Sequence, residues 1–185
     1  MHDLILIKPE LKDYWYEQKL NEDKDTMSYN AGYDINLEGY DYDTGIILYP
    51  KERWELMYER RKTEKRCFYY IKDILKDEYV GYCNYQYDND TKRYECGIVI
   101  EASKRGNGYS KEALKLLLLD AFKNKVNTLY DNFEIDRKGT LKLFLDVGFK
   151  IDKKTKWKKF GKMTDGVVVK IEKEDFLSRN NIKHI

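Results

Sequence analysis

The spacing of hydrophobic residues changes abruptly just past the middle of the chain, at residues 105–108. Residues 97–100, GIVI, form a short apolar run rich in β-branched side chains, which predicts a buried strand. Apolar residues then recur at helical spacing, which predicts a helix over residues 110–123. Between them lies RGNG, whose two glycines can adopt positive φ and let a ligand approach the backbone closely. The pattern therefore predicts a strand, a tight glycine turn and a helix in succession.

Upstream of this segment, the pattern predicts two helices and a meander of antiparallel strands. A strand at residues 4–8 precedes a helix that begins at Pro9 and runs to about Leu20, and Pro50 begins a second helix. Short links join the next three strand-like runs, which favours an antiparallel meander at residues 67–71, 79–87 and 93–100. Residues 21–45 show no clean periodicity, and their tyrosines argue against disorder, so we predict a long ordered loop.

Downstream of the predicted helix, strand and helix patterns alternate. Alternate positions of one predicted strand are taken by Leu129, Asp131, Phe133 and Ile135. Because a helix connects the strand at 93–100 to this one, the two strands should run parallel. A short helix at residues 140–147 should end at Gly148, and two further strands are predicted around residues 149–160 and 167–172.

The composition of the whole chain narrows the classes of function. A length of 185 residues favours one domain, which we place at residues 1–178, followed by a polar tail at residues 179–185. The net charge is only +2, and no stretch is apolar enough to span a bilayer, so we predict no nucleic-acid or membrane partner. The lysines of residues 153–159 are interpreted as a solvated edge strand rather than an RNA-binding patch.

The cysteines and histidines further narrow the cellular compartment and the kinds of site that the chain could carry. The three cysteines are widely spaced, which predicts reduced core thiols in a cytoplasmic protein. The two histidines lie at opposite ends of the chain, which argues against a structural metal site and against a histidine-based nucleophilic triad.

The glycine turn and the helix after it form a candidate phosphate site. The first backbone N–H groups of a helix have no partner within it, and the helix dipole is positive at that end. Such an end binds phosphate, and Lys104, Arg105 and Lys111 add positive charge around it. The dinucleotide-binding pattern G-x-G-x-x-G is not matched, because Lys111 occupies the position of its third glycine. The P-loop pattern is also absent.

The remaining pattern, R-x-x-G-x-[G/A], resembles the pyrophosphate-binding motif of the GCN5-related N-acetyltransferases, the GNAT family. Arg105, Gly108 and Ser110 occupy its set positions, with serine in place of the usual glycine or alanine. The E-x-G-x-x-[IVL] pattern that starts at Glu95 and the run LKLFLDVGF at residues 141–149 also resemble motifs of that family. The resemblance implies an α+β (mixed α/β) fold. Its central, mostly antiparallel mixed sheet would have about six to seven strands flanked by helices, with a parallel pair splayed at the acyl-CoA site.

The resemblance also implies an activity and a set of site residues. The activity is transfer of an acetyl group from acetyl-CoA to a primary amine of a small molecule or peptide, by direct attack in a ternary complex. Glu95 would be the general base. Besides Ser110, two positions depart from the family pattern, because Phe144 replaces the usual tyrosine acid and Arg137 replaces the usual asparagine. The expected cofactor-binding residues are Ile98, Val99, Ile100, Arg105, Gly106, Asn107, Gly108, Tyr109, Ser110, Arg137 and Phe144.

The acceptor and the alternatives stay open at the level of sequence. Acidic and aromatic residues of the loop, including Asp34, Glu38 and Asp41, favour a cationic amine, although its tyrosines could equally pack on the core. A non-catalytic acyl-CoA-binding module is the main alternative, encouraged by Phe144. An RNA-associated protein that uses its lysines and tyrosines is a third. A homodimer is kept open as the assembly.

Overall fold

Seven strands form one mixed sheet in the computed structural model, which describes residues 2–62, 66–183 and 185. The strands are β1 (Leu4–Ile7), β2 (Arg66–Asp73), β3 (Glu78–Asp88), β4 (Arg93–Ile100), β5 (Thr128–Glu134), β6 (Lys150–Lys159) and β7 (Lys162–Glu172). Their order across the sheet is β1-β2-β3-β4-β5-β7-β6. The predicted fold class and the predicted meander of β2, β3 and β4 are confirmed.

The parallel contact between β4 and β5 is short, and it sets the shape of the site. Across the described residues, the two strands pair only at Tyr94 with Leu129 and at Glu95 with Tyr130. On its other side, β4 continues to pair with β3 as far as Ile100. The strands therefore separate after Glu95, and β4 presents one edge of its backbone to the gap.

Six α-helices cover the sheet in the described part of the chain. They are α1 (Tyr14–Asn21), α2 (Lys24–Met27), α3 (Trp54–Arg60), α4 (Tyr109–Lys123), α5 (Lys138–Val147) and α6 (Lys173–Arg179). The predicted helices at 110–123 and 140–147 are confirmed as α4 and α5. Pro9 and Pro50 each precede a single 3₁₀ turn that leads into α1 or α3, so neither proline lies within an α-helix. α2 and α6 were not predicted.

The two faces of the sheet carry separate cores. The helical spacing in α4 buries its apolar stripe completely, with Leu114, Leu117 and Leu118 inaccessible to solvent. That face also receives α5 and α6 through Phe144 and Phe176. The opposite face packs α1 on aromatic side chains of β2 and β3, where the contacting residues include Tyr16, Leu20, Phe68, Tyr70 and Tyr82.

The predicted loop at residues 21–45 is ordered by contacts with distant parts of the chain. The N–H group of Phe160 donates to the carbonyl of Gly32, and the Tyr42 and Phe160 rings meet edge to face at 5.6 Å. The N–H group of Tyr49 donates to Glu22 at 2.9 Å. The two contacts of Phe160 hold the loop against the turn between β6 and β7, and the bond from Tyr49 ties its start to the segment before α3.

Two smaller predictions are also resolved by the structure. β6 is an edge strand with mostly exposed lysines, as its composition predicts. The cysteines are free thiols, with Cys83 and Cys96 buried and Cys67 half-buried. None of the helices described here is long and apolar enough to cross a membrane.

Candidate active site

A large cavity of about 1620 Å³ opens where β4 and β5 separate. Its walls come from the unpaired ends of these two strands, the N-terminus of α4, one side of α5 and the loop near Tyr29. Ile98, Val99 and Ile100 line it, and their contact with the cofactor stays a prediction. The cavity thus joins an exposed strand edge to a helix N-terminus in one continuous space.

The glycine turn forms the end of the cavity that is suited to bind a phosphate group. Gly106 has φ of 81° and Gly108 has φ of 84°, a left-handed conformation that favours glycine. Gly108 is the N-cap of α4, and no described atom lies within 4 Å of the Cβ that either glycine lacks. The backbone is therefore exposed to a ligand at the place where the first N–H groups of α4 are unpaired. Ser110 also lines this end.

Arg105 fixes the glycine turn with its side chain. Its guanidinium donates to the carbonyls of Asp25 at 3.1 Å, Thr26 at 2.8 Å and Ile100 at 3.2 Å. Because these donors are used within the protein, Arg105 ties the turn to α2 and to the end of β4. Its role in cofactor binding stays a prediction, and its side chain fixes the position of the backbone at the turn.

Two other predicted loop residues also have internal partners. The Asn107 amide donates to the carbonyls of Lys104 and Arg105, and Asn107 is not among the described residues that line the cavity. Tyr109 lines the cavity but is almost fully buried, and its hydroxyl donates to Asp73 at 3.0 Å. Both residues therefore stabilise the turn and the start of α4.

Glu95 lies on the last paired position of β4, beside the gap. Its carboxylate accepts hydrogen bonds from Arg93, at 3.0 Å from Nε and 2.7 Å from Nη2. Gly97, two residues along the same face, lines the cavity, and the Asn84 amide is about 3.7 Å from the Cβ that Gly97 lacks. Within the described part of the chain, Glu95 is outside the lining, so its role as general base stays a prediction.

Asp131 is a lining residue that the sequence analysis did not select. It is half-buried on β5, one residue beyond the last pair with β4, and its Oδ1 accepts from the Asn132 N–H at 2.7 Å. Burial raises the pKa of Asp131 to about 7, and the nearby charge of Glu95 adds to the rise. The signal was present in the sequence, because Asp131 alternates with the buried Leu129 and Phe133.

Glu134 holds the acceptor-side wall of the cavity together. It is buried, and its Oε1 accepts a 2.6 Å hydrogen bond from the Tyr33 hydroxyl and a short one from the Lys159 ammonium group. Arg137 forms a 3.7 Å ion pair with the same carboxylate and stacks over the Tyr29 ring. Burial would raise the pKa of Glu134, but the bonds from Lys159 and Tyr33 outweigh burial and lower it. This carboxylate therefore anchors the wall and is already satisfied.

Phe144 and Arg137 both line the cavity, as predicted. The Phe144 ring is 1% exposed and packs against Phe133 at 5.2 Å and Phe149 at 4.8 Å. A phenyl ring has no proton to donate, so the geometry gives the cavity no acid at this position.

The acidic residues proposed for acceptor binding lie elsewhere. Glu38 is exposed and pairs with Arg53 at 3.6 Å, while Asp41 accepts from the N–H and hydroxyl groups of Thr44. Asp34 is also exposed. None of the three is among the described lining residues, so their role in acceptor binding stays a prediction, whereas Tyr29 and Tyr33 of the same loop do line the cavity.

Comparison with solved structures finds the same fold in several acetyltransferases. Spermidine N-acetyltransferase from Vibrio cholerae, in complex with CoA and spermine, has a TM-score of 0.76 at 16% identity, covering 94% of this chain and 98% of that one. An acetyltransferase of the GNAT family from Bacillus anthracis has a TM-score of 0.69 at 17% identity, covering 94% and 98%. The yncA protein of Salmonella typhimurium, solved with its cofactor acetyl-CoA, has a TM-score of 0.71 at 13% identity, covering 91% and 93%.

Sequence comparison supports the same assignment at the level of the family. No curated protein matches this chain. The family model described as the acetyltransferase (GNAT) domain matches residues 3–150, which include β4, the glycine turn, α4 and α5. Because that model covers most of the chain, the resemblance seen in the motifs is confirmed, and the protein belongs to the GNAT acetyltransferase family.

Proposed function

We propose that this protein is an acetyl-CoA-dependent N-acetyltransferase that acts on a primary amine of a small cationic molecule, by direct attack in a ternary complex. One observation carries the proposal: the gap between β4 and β5 runs into the N-terminus of α4 within a single cavity. This shape suits a ligand with an extended arm at one end and a pyrophosphate at the other.

The residues present fit acetyl-CoA. The unpaired N–H groups at the start of α4 and the open backbone at Gly106 and Gly108 would bind the pyrophosphate. The free edge of β4 at residues 96–100 would hydrogen-bond the pantetheine arm in the manner of an added strand. When bound, acetyl-CoA supplies an acetyl thioester, and the chain's own groups must orient the amine and manage its protons.

The amine must be neutral before it can attack, because an alkylammonium group has a pKa near 10. Glu95 is the proposed base, acting through a water molecule above Gly97, on the face of the sheet that carries α1 and the loop. The acceptor end of the cavity contains the tyrosine rings of Tyr29 and Tyr33. The faces of aromatic rings favour a cation, and the complex of the Vibrio cholerae enzyme with spermine supports a polyamine-like amine.

A thiol-release assay tests the proposal directly. The purified protein is mixed with acetyl-CoA and a panel that contains a polyamine, an amino sugar, a basic peptide and a neutral primary amine. Thiol release should depend on the amine, and the acetylated amine should be found by mass spectrometry. Turnover only with the neutral amine would overturn the assignment of a cationic acceptor.

A non-catalytic acyl-CoA-binding module is the second candidate, and Phe144 is the observation that favours it. That candidate predicts acetyl-CoA binding by calorimetry without thiol release for any amine in the panel. Absence of acetyl-CoA binding would overturn both candidates.

A further inference from the structure

Asp131 lines the cavity on the same face of the sheet as Phe144. Alternation along β5 puts it on the sheet face of Leu129 and Phe133, which is the face that α5 covers with Phe144. Asp131 and Phe144 line the same cavity, and Asp131 is the first residue of β5 beyond the pairing with β4. A carboxyl group therefore lies where the gap between β4 and β5 begins, on the same face of the sheet as Phe144, which replaces the usual tyrosine.

The groups around Asp131 favour its protonated form. Cys96 and Glu95 of β4, Arg137 at the start of α5 and Tyr29 of the loop all interact with it electrostatically. Burial is the main cause that raises its pKa to about 7, with Glu95 adding, while the Asn132 N–H group and Arg137 act in the opposite direction. At neutral pH, a substantial fraction of the protein thus carries a proton on this carboxyl.

We propose that Asp131 is the general acid of this enzyme and protonates the departing thiolate of coenzyme A in place of the missing tyrosine. The inference rests on the proposed function. Glu95 then takes a proton from the amine on one face of the sheet, and Asp131 gives a proton to the thiolate on the other face.

The step balances without any further reactant. The amine nitrogen forms a bond to the carbonyl carbon of the thioester, and the carbon–sulfur bond breaks with its electron pair on sulfur. The Asp131 carboxyl gives its proton to that sulfur and becomes a carboxylate, while the surplus proton of the amine leaves through Glu95 or water. An alkyl thiol has a pKa of about 8.5, so a carboxyl of pKa near 7 transfers its proton downhill. Solvent returns the proton to Asp131 before the next turnover.

The first test measures bound coenzyme A rather than turnover. The thiolate absorbs in the ultraviolet, so the pKa of the bound thiol can be titrated in the parent protein, in Asp131→Asn and in Asp146→Asn. Asp146 is a matched control because it loses the same charge on the exposed side of α5, where it pairs with Lys142. Ionised Asp131 near the sulfur should raise the thiol pKa, so Asp131→Asn should lower it by about one unit or more and Asp146→Asn should leave it unchanged.

The second test separates an acid from a base. If Asp131 is the acid, kcat of the parent should fall above about pH 7, and Asp131→Asn should lose that basic limb along with about 10²-fold or more of kcat. Carboxyl-carbon NMR of the parent protein should show one aspartate that titrates near pH 7 and responds to coenzyme A, which needs no variant.

The outcomes distinguish failure of the proposed function from failure of the role inferred for Asp131. A parent protein that binds no coenzyme A overturns the proposed function and the inference with it. A protein that binds and turns over, but whose bound thiol has the same pKa in the parent and in Asp131→Asn, overturns the inference alone. Loss of the acidic limb in Asp131→Asn would make Asp131 a base and would also overturn it.

Discussion

Substitution of Gly108 should separate two properties of the glycine turn, its backbone strain and its access to ligand. Gly108 has φ of 84° and an open space where a Cβ would stand, so a side chain there meets no described atom within 4 Å. The cost of an alanine is then the left-handed conformation alone, about 1–2 kcal/mol. For a chain of this length, that cost lowers Tm by about 2–8 °C.

Gly161 offers a matched control for the strain. It has φ of 71°, it also has no described atom within 4 Å of its missing Cβ, and it lies in the turn between β6 and β7. Gly108→Ala and Gly161→Ala should therefore lose similar stability in thermal unfolding. Only substitutions at Gly108 should weaken the binding of acetyl-CoA.

The affinity of the larger Gly108→Val variant for acetyl-CoA is the decisive measurement. Its methyl groups would fill the space through which a pyrophosphate reaches the N–H groups of α4, so calorimetry should show an affinity loss of at least about tenfold, or 1.4 kcal/mol. A folded Gly108→Val protein that binds acetyl-CoA with the affinity of the parent would refute the placement of the phosphate site.

Three further substitutions test a buried ion pair of the fold, one wall of the cavity and the proposed base. Arg61→Ala should destabilise the fold by about 3–5 kcal/mol in urea unfolding, because it leaves the buried Glu17 carboxylate without its bidentate partner at 2.5 and 2.6 Å; an unchanged midpoint would contradict this. The lowered pKa of Glu134 means that its carboxylate stabilises the fold above its unfolded pKa of about 4.3 and that this contribution is lost as the pH falls further. Glu134→Gln should therefore flatten stability between about pH 5 and pH 3, whereas a profile like that of the parent would show that the contact with Lys159 contributes nothing. Glu95→Gln should lower kcat by about 10²-fold or more with acetyl-CoA affinity retained, and turnover within about a factor of three would show that the base is another group.

The elements that carry the cofactor site could be predicted from sequence because local signals agree there. β4 begins and ends where its pattern predicts, and α4 begins one residue earlier than predicted. The apolar stripe, the glycines and the small residue at Ser110 are all encoded within about 30 residues of one another. Such a segment needs few distant contacts to define its structure.

The acceptor side could not be predicted in the same way, because its contacts join distant residues. Tyr33 meets Glu134 across 101 positions, and Lys159 reaches the same carboxylate from β6. The exposed acids of the loop had the expected charge for a cation site, but the chain packs the tyrosines inward and leaves those acids outside. Two short helices were missed for a related reason, since α2 has four residues and α6 buries only Phe176.

Asp131 shows how one departure from a pattern can explain another. A carboxyl at a core-facing strand position is costly unless its proton is retained, and here burial does raise its pKa. A phenylalanine at the usual position of the acid is equally unexpected for an active enzyme of this family. Both departures line one cavity and lie on one face of the sheet. With the acid on β5 instead of α5, position 144 no longer requires a tyrosine hydroxyl. A buried phenylalanine ring can then fill that place in the core.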